Sequence, residues 1–313
     1  MQTKRYASKS ATHCYPLPCG YAVDWNAHEG VFYAEIPLDT LHPDEMLVPG
    51  LCIPNQPYAY SITLSDQRHD WHLSPVGQSV LEASAAECHP AVSSHVDFFH
   101  IHERVDTPVL QVKLYSNQPP EDYLLVIALH TQAANHQPEV FPAISLDLPG
   151  YSQMDASAAL RMRICSPTCV RMVLDFHGHA AEPNSLIADC YDQASDLYGV
   201  WPTNIMAAAN RGMLGGVETF GNMHEAGALL SKAVPVITSI RFTPGALTGA
   251  PLTDSAGHLV VLSGIDGAWV QVADPAAPNA EDVIRRYALD EFSRAWLDHR
   301  GIGYVLVPFE KAG

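Results

Sequence analysis

The chain has 313 residues, 47% of them hydrophobic and 16% charged, a balance typical of a globular protein rather than a disordered one. Its 34 acidic residues outnumber its 17 lysines and arginines, and the resulting net charge of −17 argues against binding to nucleic acid or to an anionic membrane surface. The length exceeds that of one average domain, so we expect two.

The cysteines and the hydrophobic segments bear on the compartment. Seven cysteines are an odd number without the spacing of a disulfide framework, so at least one thiol is free, as in a reducing compartment. No apolar run approaches the ~20 residues of a membrane helix, and the N-terminus lacks the apolar core of a secretory signal. We therefore expect a cytoplasmic protein without membrane insertion. A secreted or periplasmic protein whose leader has been removed would have the same sequence.

Short segments of strand composition occupy the first half. They are rich in β-branched and aromatic residues, and turn residues separate them at intervals typical of a β-sandwich. The predicted strands are residues 31–36, 58–64, 71–76, 96–99, 109–115 and 123–129. A helix is predicted around 78–87, and the proline-punctuated stretch 137–150 is interpreted as a linker. We therefore expect an N-terminal β-sandwich-like domain over residues 1–148.

Helices precede strands in the second half, residues 149–313, which we expect to be the second domain. The predicted helices are residues 166–177, 184–197, 203–211 and 223–232. The predicted strands are residues 235–242, 258–265, 268–273 and 303–307. Helices followed by antiparallel strands indicate an α+β fold. The long loop 243–256 lies immediately before a strand that begins with a histidine, so we expect it to shape a cleft.

Cys165 is the most informative single residue. It stands directly before a predicted helix whose first turn contains Pro167, a position where the missing N–H costs nothing. A cysteine at a helix N-terminus lies at the positive end of the helix dipole, which favours the thiolate. Such a residue is a candidate nucleophile, and alone it fits equally well a half-buried cysteine that begins a core helix.

A predicted hairpin near the C-terminal end supplies two partners for a nucleophile. Its first strand begins at His258, its turn is predicted at Asp266-Gly267, and its second strand ends in Asp274. With that turn, residue 258 pairs roughly with residue 275, so His258 and Asp274 come out at the same end of the hairpin. A thiol, an imidazole and a carboxylate that orients it form the Cys-His-Asp arrangement of nucleophilic catalysis.

Several further pieces accompany these three residues in the same chain order. The pieces are residues 152–153, 165–168, 172–174, 201–204, 234–236, 249–252, 257–261, 274–277, 295–297 and 303–305. On them, the stretch 153–308 resembles cysteine peptidase family 39, the bacteriocin-processing-endopeptidase-like branch of the papain-like peptidases. It is most similar to the stand-alone bacterial members rather than to those fused to transporters. The resemblance covers roughly the C-terminal half and implies a papain-like fold, a peptide or protein substrate, and no metal or organic cofactor.

The resemblance also implies a role for each matched residue. Cys165 corresponds to the nucleophile, His258 to the general base and Asp274 to the residue that orients the imidazole. Gln153 corresponds to the glutamine whose side-chain amide helps bind the oxyanion, although its gap to Cys165 is longer than in the transporter-fused members. Cys169 takes a place usually held by serine. We expect it to pack into the core, and a regulatory disulfide with Cys165 is the other interpretation.

Other functions stay open from the sequence. A papain-like thiol site also serves acyltransferases and amidases, which differ in whether an amine or water discharges the acyl-enzyme. A non-enzymatic ligand-binding protein with a vestigial thiol site would bind its ligand without Cys165. The sixteen histidines, among them His100 and His102 on one face of a strand, form no converging set of the kind that zinc requires. We interpret them as surface or strand residues and expect no metal site.

Overall fold

The computed structural model describes residues 3–20, 22–77, 89–131 and 142–310, and the N-terminal part contains two five-stranded sheets with antiparallel pairing. The strands are β1 (Lys4–Ala7), β2 (Asn26–His28), β3 (Val31–Pro37), β4 (Met46–Cys52), β5 (Ala59–Ser65), β6 (Asp70–His72), β7 (Val92–Ser94), β8 (Phe99–Ile101), β9 (Val109–Tyr115) and β10 (Leu124–His130). A short helix, α1 (Lys9–Cys14), follows β1. One sheet has the order β1-β10-β4-β8-β7 and the other the order β2-β3-β9-β5-β6.

The alternation along β9 explains how these two sheets come to share a core. Leu110, Val112 and Leu114 are fully buried, whereas the intervening Gln111 and Lys113 are half-buried. Successive side chains of a strand point to opposite faces, so one face of β9 is apolar and packs with residues of the other sheet. Each large apolar side chain buried in this way contributes roughly 1.5–3 kcal/mol.

The C-terminal part consists of one seven-stranded antiparallel sheet and the helices packed on it. Its strands are β11 (Ile144–Ser145), β12 (Met213–Thr219), β13 (Val236–Phe242), β14 (Ser255–Asp266), β15 (Trp269–Ala273), β16 (Ile284–Ala288) and β17 (Ile302–Pro308). Its helices are α2 (Cys165–Phe176), α3 (Pro183–Asp189), α4 (Trp201–Ala209), α5 (Met223–Leu230) and α6 (Leu289–Leu297). The sheet order is β12-β17-β13-β14-β15-β16, and β11 pairs with β14. The chain is therefore a mixed fold with its helices concentrated in the C-terminal part.

Strand β10 links the two parts because it is buried on both faces. Leu125 and Ile127 pack in the core between the two N-terminal sheets, whereas Leu124 and Val126 pack in the core of the C-terminal part. A strand with two buried faces is a continuous apolar run rather than an alternating one, and the sequence LLVIALH of β10 has this pattern. The two parts thus share a core.

Strand β12 is the C-terminal element that meets β10, and it approaches through a glycine. A Cβ on Gly216 would lie 2.4 Å from a methyl group of Val126, so a larger residue requires the strands to separate. Nearby, the buried carboxylate of Glu218 accepts hydrogen bonds from the Arg5 guanidinium at 2.8 and 2.7 Å and from the Tyr15 hydroxyl at 2.9 Å. A buried carboxylate requires such partners, and here the N-terminal part supplies them.

The sequence predicted some strands well and missed others for identifiable reasons. The strands predicted at 31–36, 58–64, 109–115 and 123–129 correspond to β3, β5, β9 and β10. Strand β4 was missed because it contains Pro49 and Gly50, which are typical of turns. It pairs with β8 only at Met46 and Leu47, so it has an open edge beside Pro49, where a sheet tolerates proline.

Two predicted segments differ from the structure. The helix predicted at 184–197 ends at Asp189, because the Asp192 carboxylate accepts the N–H and the hydroxyl of Ser195 and closes a turn there. The described end of the predicted linker contains β11, which pairs with the C-terminal sheet. The helix predicted at 78–87 lies outside the described residues, and the division at residue 148 stays a prediction.

Candidate active site

Cys165 is the first residue of α2, and hydrogen-bond donors surround its sulfur. The N-cap residue Ile164 offers no side-chain cap, so the first turn of the helix keeps its N–H groups available. The backbone N–H groups of Ser166 and of Leu259 on β14 hydrogen-bond to the Cys165 thiol. Cys165 is half-buried, whereas the next five residues of the helix are buried. The sulfur is therefore placed where a negative charge is favoured.

His258 connects Cys165 with Asp274 through its two ring nitrogens. Its Nε2 lies 2.8 Å from Asp274 Oδ1, and both side chains are buried. The imidazole also interacts directly with the Cys165 thiol. Because the carboxylate occupies Nε2, Nδ1 is the nitrogen left for the sulfur. The structure thus brings three of the four predicted site residues together.

The hairpin that carries His258 and Asp274 has a different turn from the predicted one. Asp266 is the last residue of β14 and pairs with Trp269, so the turn consists of Gly267 and Ala268. Gly267 has a φ of 58°, which glycine adopts without the steric cost that a Cβ brings. The predicted turn at Asp266-Gly267 was therefore one residue too early.

A β-bulge shifts the register of β14 against β15 between this turn and the site. One extra residue of β14, Ser263, shifts the pairing, so that Val261 lies opposite Ala273. Continued along the ladder, this register places residue 258 opposite 276, so the predicted pairing with 275 is wrong by one. The difference matters because a shift of one residue moves a side chain to the other face. In the observed register His258 and Asp274 share a face.

Asp274 has partners for both of its carboxylate oxygens. Oδ1, which faces His258, also accepts the Ala276 N–H at 2.9 Å. Oδ2 accepts the Tyr287 hydroxyl at 2.6 Å. Tyr287 was not predicted because it lies on β16, a strand whose polar residues IRRYA give no clear apolar alternation in the sequence. Its position one strand beyond Asp274 is the signal that would have found it.

The pKa shifts of the three residues are those of an ion pair. Burial alone would raise the pKa of the Cys165 thiol, but the hydrogen bond and charge of His258 lower it overall. Burial alone would lower the pKa of His258, but the charge and hydrogen bond of Asp274 raise it. Burial would likewise raise the pKa of Asp274, and the charge and hydrogen bond of His258 lower it. A thiolate and an imidazolium stabilised by a carboxylate titrate as a unit.

Four other cysteines have a thiol pKa that is raised, whereas that of Cys165 is lowered. Burial raises the pKa of Cys19, of Cys52 to about 12, and of Cys169 and Cys190. Cys169 is fully buried in the core, with its thiol 3.2 Å from the Leu259 carbonyl, which confirms the expectation that it packs there. A lowered thiol pKa therefore distinguishes Cys165 from these four cysteines.

Gln153 lies beside the Asp274 loop, but its amide is engaged elsewhere. Its backbone N–H donates to the Pro275 carbonyl at 2.8 Å, and its Nε2 donates to the Arg161 carbonyl at 2.7 Å. Arg161 belongs to the segment that lengthens the gap to Cys165, so these additional residues fold back onto the glutamine. One of the two amide N–H bonds is thus committed. A role for Gln153 in binding an oxyanion stays a prediction that depends on the second.

A buried polar network fixes the first turn of α2. The Ser166 hydroxyl donates to Asn204 Oδ1 at 2.9 Å and lies 3.0 Å from the Tyr304 hydroxyl. The Asn204 amide in turn donates to the carbonyls of Tyr198 and Val200. These residues join α2 to α4 and β17 and leave Cys165 at a defined place. The contribution of the 201–204 motif to the site is therefore structural.

The loop 243–256 is fastened on the C-terminal side of the molecule. The Thr248 N–H and hydroxyl donate to the Glu291 carboxylate of α6 at 2.7 and 3.0 Å. The Arg285 guanidinium donates to the Gly249 carbonyl at 2.6 Å. These contacts hold the loop in place just before the strand segment that presents His258.

Within the described ranges, no group of three or more histidine, cysteine, aspartate or glutamate side chains is arranged to hold a metal ion. Within the same ranges, no helix has the length and apolar character needed to cross a bilayer.

Among solved structures, two crystal structures are similar to about half of the chain. One is of a double glycine motif protease from an AMS/PCAT transporter in complex with the leader peptide, at 21% identity and a TM-score of 0.37, covering 53% of this chain and 97% of the other. The second is of a protein from Bacillus anthracis described as a C39-like peptidase, at 18% identity and a TM-score of 0.41, covering 53% and 98%.

The comparison with curated proteins finds no match. The comparison with protein families finds the Peptidase_C39 like family over residues 145–304, about half of the chain. The matched range contains Cys165, His258 and Asp274. This chain belongs to the peptidase C39-like family.

Proposed function

We propose that this protein is a papain-like cysteine peptidase that hydrolyses peptide bonds with Cys165 as nucleophile, His258 as general base and Asp274 as the residue that orients the imidazole. The observation that carries the proposal is that the Cys165 thiol interacts with the buried imidazole of His258, which in turn is hydrogen-bonded to the buried carboxylate of Asp274. Membership of a peptidase-like family supports the same chemistry. The substrate is a peptide or protein.

In the acylation half-reaction, His258 Nδ1 holds the proton of the Cys165 thiol, and the thiolate attacks the carbonyl carbon of the peptide bond. The C–S bond forms as the carbonyl becomes a tetrahedral oxyanion. His258 then gives its proton to the leaving amine as the C–N bond breaks, which leaves a thioester on Cys165. Asp274 stabilises the imidazolium during this step, and its bond to Nε2 keeps Nδ1 directed at the sulfur.

Deacylation repeats the steps with water. His258 Nδ1 takes a proton from a water molecule, the hydroxide attacks the thioester carbonyl, and collapse of the tetrahedral intermediate releases the carboxylic acid and the thiolate. The imidazolium then faces the thiolate again. The lowered pKa of Cys165 and the raised pKa of His258 favour this ion pair as the resting state.

The oxyanion requires donors near the sulfur, and Gln153 is the proposed side-chain donor through its second amide N–H. We expect Gln153→Ala to lower kcat by about 10²–10³-fold with little change in KM, because the donor acts on charge that develops in the transition state. Steady-state kinetics on a peptide substrate measure this. Asn184→Ala, a change on the exposed side of α3, is the control. An unchanged kcat in Gln153→Ala would contradict the oxyanion role, and Gln153 would then have a structural role only.

The proposed division of labour assigns the chemistry to a papain-like domain over residues 149–313 and substrate binding or cover of the cleft to a β-sandwich-like domain over residues 1–148. Its support is that Cys165, His258 and Asp274 all lie in the second range. Two five-stranded sheets around a common core are consistent with a sandwich in the first.

A labelling experiment tests the nucleophile directly. At mildly acidic pH, iodoacetamide should alkylate Cys165 ahead of the other cysteines, because its pKa is lowered whereas burial raises those of Cys19, Cys52, Cys169 and Cys190. Peptide mapping by mass spectrometry after a brief exposure identifies the site. In a His258→Ala variant the preference should disappear. Faster modification of another cysteine in the folded wild-type protein would contradict the assignment.

Two alternatives share part of this site. An acyltransferase or amidase would form the same thioester but would discharge it to an added amine or act on a non-peptide amide, so the product formed with and without a competing amine separates them from a peptidase. A non-enzymatic ligand-binding protein would keep its ligand affinity in a Cys165→Ala variant and would form no thioester.

A further inference from the structure

Tyr287 occupies the side of the Asp274 carboxylate that His258 leaves free. Its hydroxyl donates to Oδ2 at 2.6 Å, and both residues are buried. Strand β16 pairs with β15, and Tyr287 lies opposite Val270, four residues before Asp274. Because alternate residues of a strand share a face, Tyr287 and Asp274 lie on the same face of the sheet, and the long phenol side chain reaches the carboxylate.

The direction of this hydrogen bond is fixed by the carboxylate, which only accepts when it is ionised, so the Tyr287 hydroxyl donates its proton to Asp274. The positive charge of Arg285 lies close to the same hydroxyl. Arg285 itself donates to the Gly249 carbonyl of the loop 243–256 at 2.6 Å and to the Asp282 carbonyl. These hydrogen bonds hold the guanidinium in place beside Tyr287.

We propose that Tyr287 is a positioning residue of this active site, whose hydroxyl keeps the Asp274 carboxylate ionised and turned so that Oδ1 faces His258. The inference rests on the proposed function of Cys165 and His258. It adds Tyr287 to the group formed by Cys165, His258 and Asp274. Tyr287 touches neither the substrate nor the reacting atoms. Tyr287 acts only through Asp274.

The sign of the expected effect follows from the groups around the carboxylate. These are Cys165 and Cys169 on α2, His258 on β14, and Tyr287 and Arg285 on β16. Without the Tyr287 hydroxyl, the buried Oδ2 loses its donor, which raises the pKa of Asp274 and frees the carboxylate to rotate. A protonated or rotated Asp274 stabilises the imidazolium less, so the pKa of His258 falls and that of Cys165 rises. The pH range in which the ion pair exists therefore narrows from both sides.

The test uses two pH profiles of Tyr287→Phe. The rate of Cys165 alkylation by iodoacetamide follows the thiolate, whereas the alkaline limb of kcat/KM for peptide hydrolysis follows the imidazolium that protonates the leaving amine. We expect the acidic limb of both profiles to move up and the alkaline limb of kcat/KM to move down by about 0.5–1 pH unit each, in line with the loss of one hydrogen bond to a buried charge. With a peptide substrate, kcat should fall about tenfold while KM changes less than about twofold. Tyr58→Phe is the matched control, because it removes a buried hydroxyl that donates to the Leu51 carbonyl in the N-terminal part.

The outcomes separate this inference from the proposed function. If wild-type Cys165 shows no preferential alkylation at mildly acidic pH, the proposed function fails. If the wild type shows it and the Tyr287→Phe profiles superimpose on those of the wild type, only the positioning role is overturned. A profile that narrows equally in Tyr58→Phe would also overturn the role, since general loosening would then explain it. Should Tyr287→Phe fail to fold, Arg285→Gln decides, with a shift in the same direction expected and an unchanged profile contradicting the role.

Discussion

Replacing Cys165 with alanine should lower the rate of peptide hydrolysis on the order of 10⁴-fold or more, because no acyl-enzyme can form without the sulfur. Alanine is a good helix former, and Cys165 is the half-buried first residue of α2, so the variant should fold like the wild type. Hydrolysis assays with a pool of peptides, together with thermal unfolding of both proteins, measure the two expectations.

Loss of the thiol and loss of the imidazole should lower the rate of hydrolysis to the same extent, whether the two are removed separately or together. His258→Ala should cost about as much as Cys165→Ala, and the double variant should be no slower than either, since residues that act in one step give strongly non-additive losses. Cys14→Ala removes a thiol that hydrogen-bonds to the Glu310 carbonyl far along the chain, and its activity should equal that of the wild type. Substantial hydrolysis by Cys165→Ala would refute the proposed nucleophile.

Removing the N-terminal part should unfold the C-terminal part rather than release an independent domain. A fragment of residues 142–313 would expose the faces of β12 and α4 that pack with β4 and β10, and would leave Glu218 without Arg5 and Tyr15. Each large apolar side chain of the lost contact contributes roughly 1.5–3 kcal/mol, and a handful equals the 5–15 kcal/mol of a whole domain. We expect no cooperative thermal transition and no preferential alkylation of Cys165 in this fragment.

Complementation provides the control for that experiment. Residues 1–141 and 142–313 expressed together should associate through β10 and β12 and recover both the thermal transition and the reactive thiol. The cut before residue 142 keeps β11 in the same fragment as β14, the strand with which it pairs. A fragment 142–313 that unfolds cooperatively at the temperature of the intact protein would contradict the shared core.

The sequence predicts those parts of the candidate site that local chemistry specifies. Cys165 could be placed because a helix start behind a cysteine has a recognisable pattern, and His258 and Asp274 because a hairpin signal brings distant residues together. Periodicity likewise predicted β9 and β10 within a residue or so. These features depend on neighbours in the chain, which a sequence displays directly.

The remaining parts depend on contacts that no local pattern displays. Tyr287 meets Asp274 only because two strands pair, and the engagement of Gln153 with Arg161 depends on how an additional segment folds back. The shared core was missed for a similar reason. Gly216 is an ordinary strand glycine until Val126 is seen against it.

Because of the bulge at Ser263, the meeting of His258 and Asp274 depends on whether the number of residues between them in the β14–β15 hairpin is even or odd. The extra residue of the bulge makes 258 and 274 fall on the same face, and it is held in place by the hydrogen bond of Leu146 to the Ser263 carbonyl and by Gly264, where a Cβ would lie 2.6 Å from the Ile144 oxygen. A single insertion or deletion between the histidine and the aspartate would turn one of them to the opposite face, whereas a change of two residues would preserve their meeting. Relatives that keep this pair should therefore vary the hairpin in steps of two, and a one-residue change should occur only together with loss or gain of a bulge.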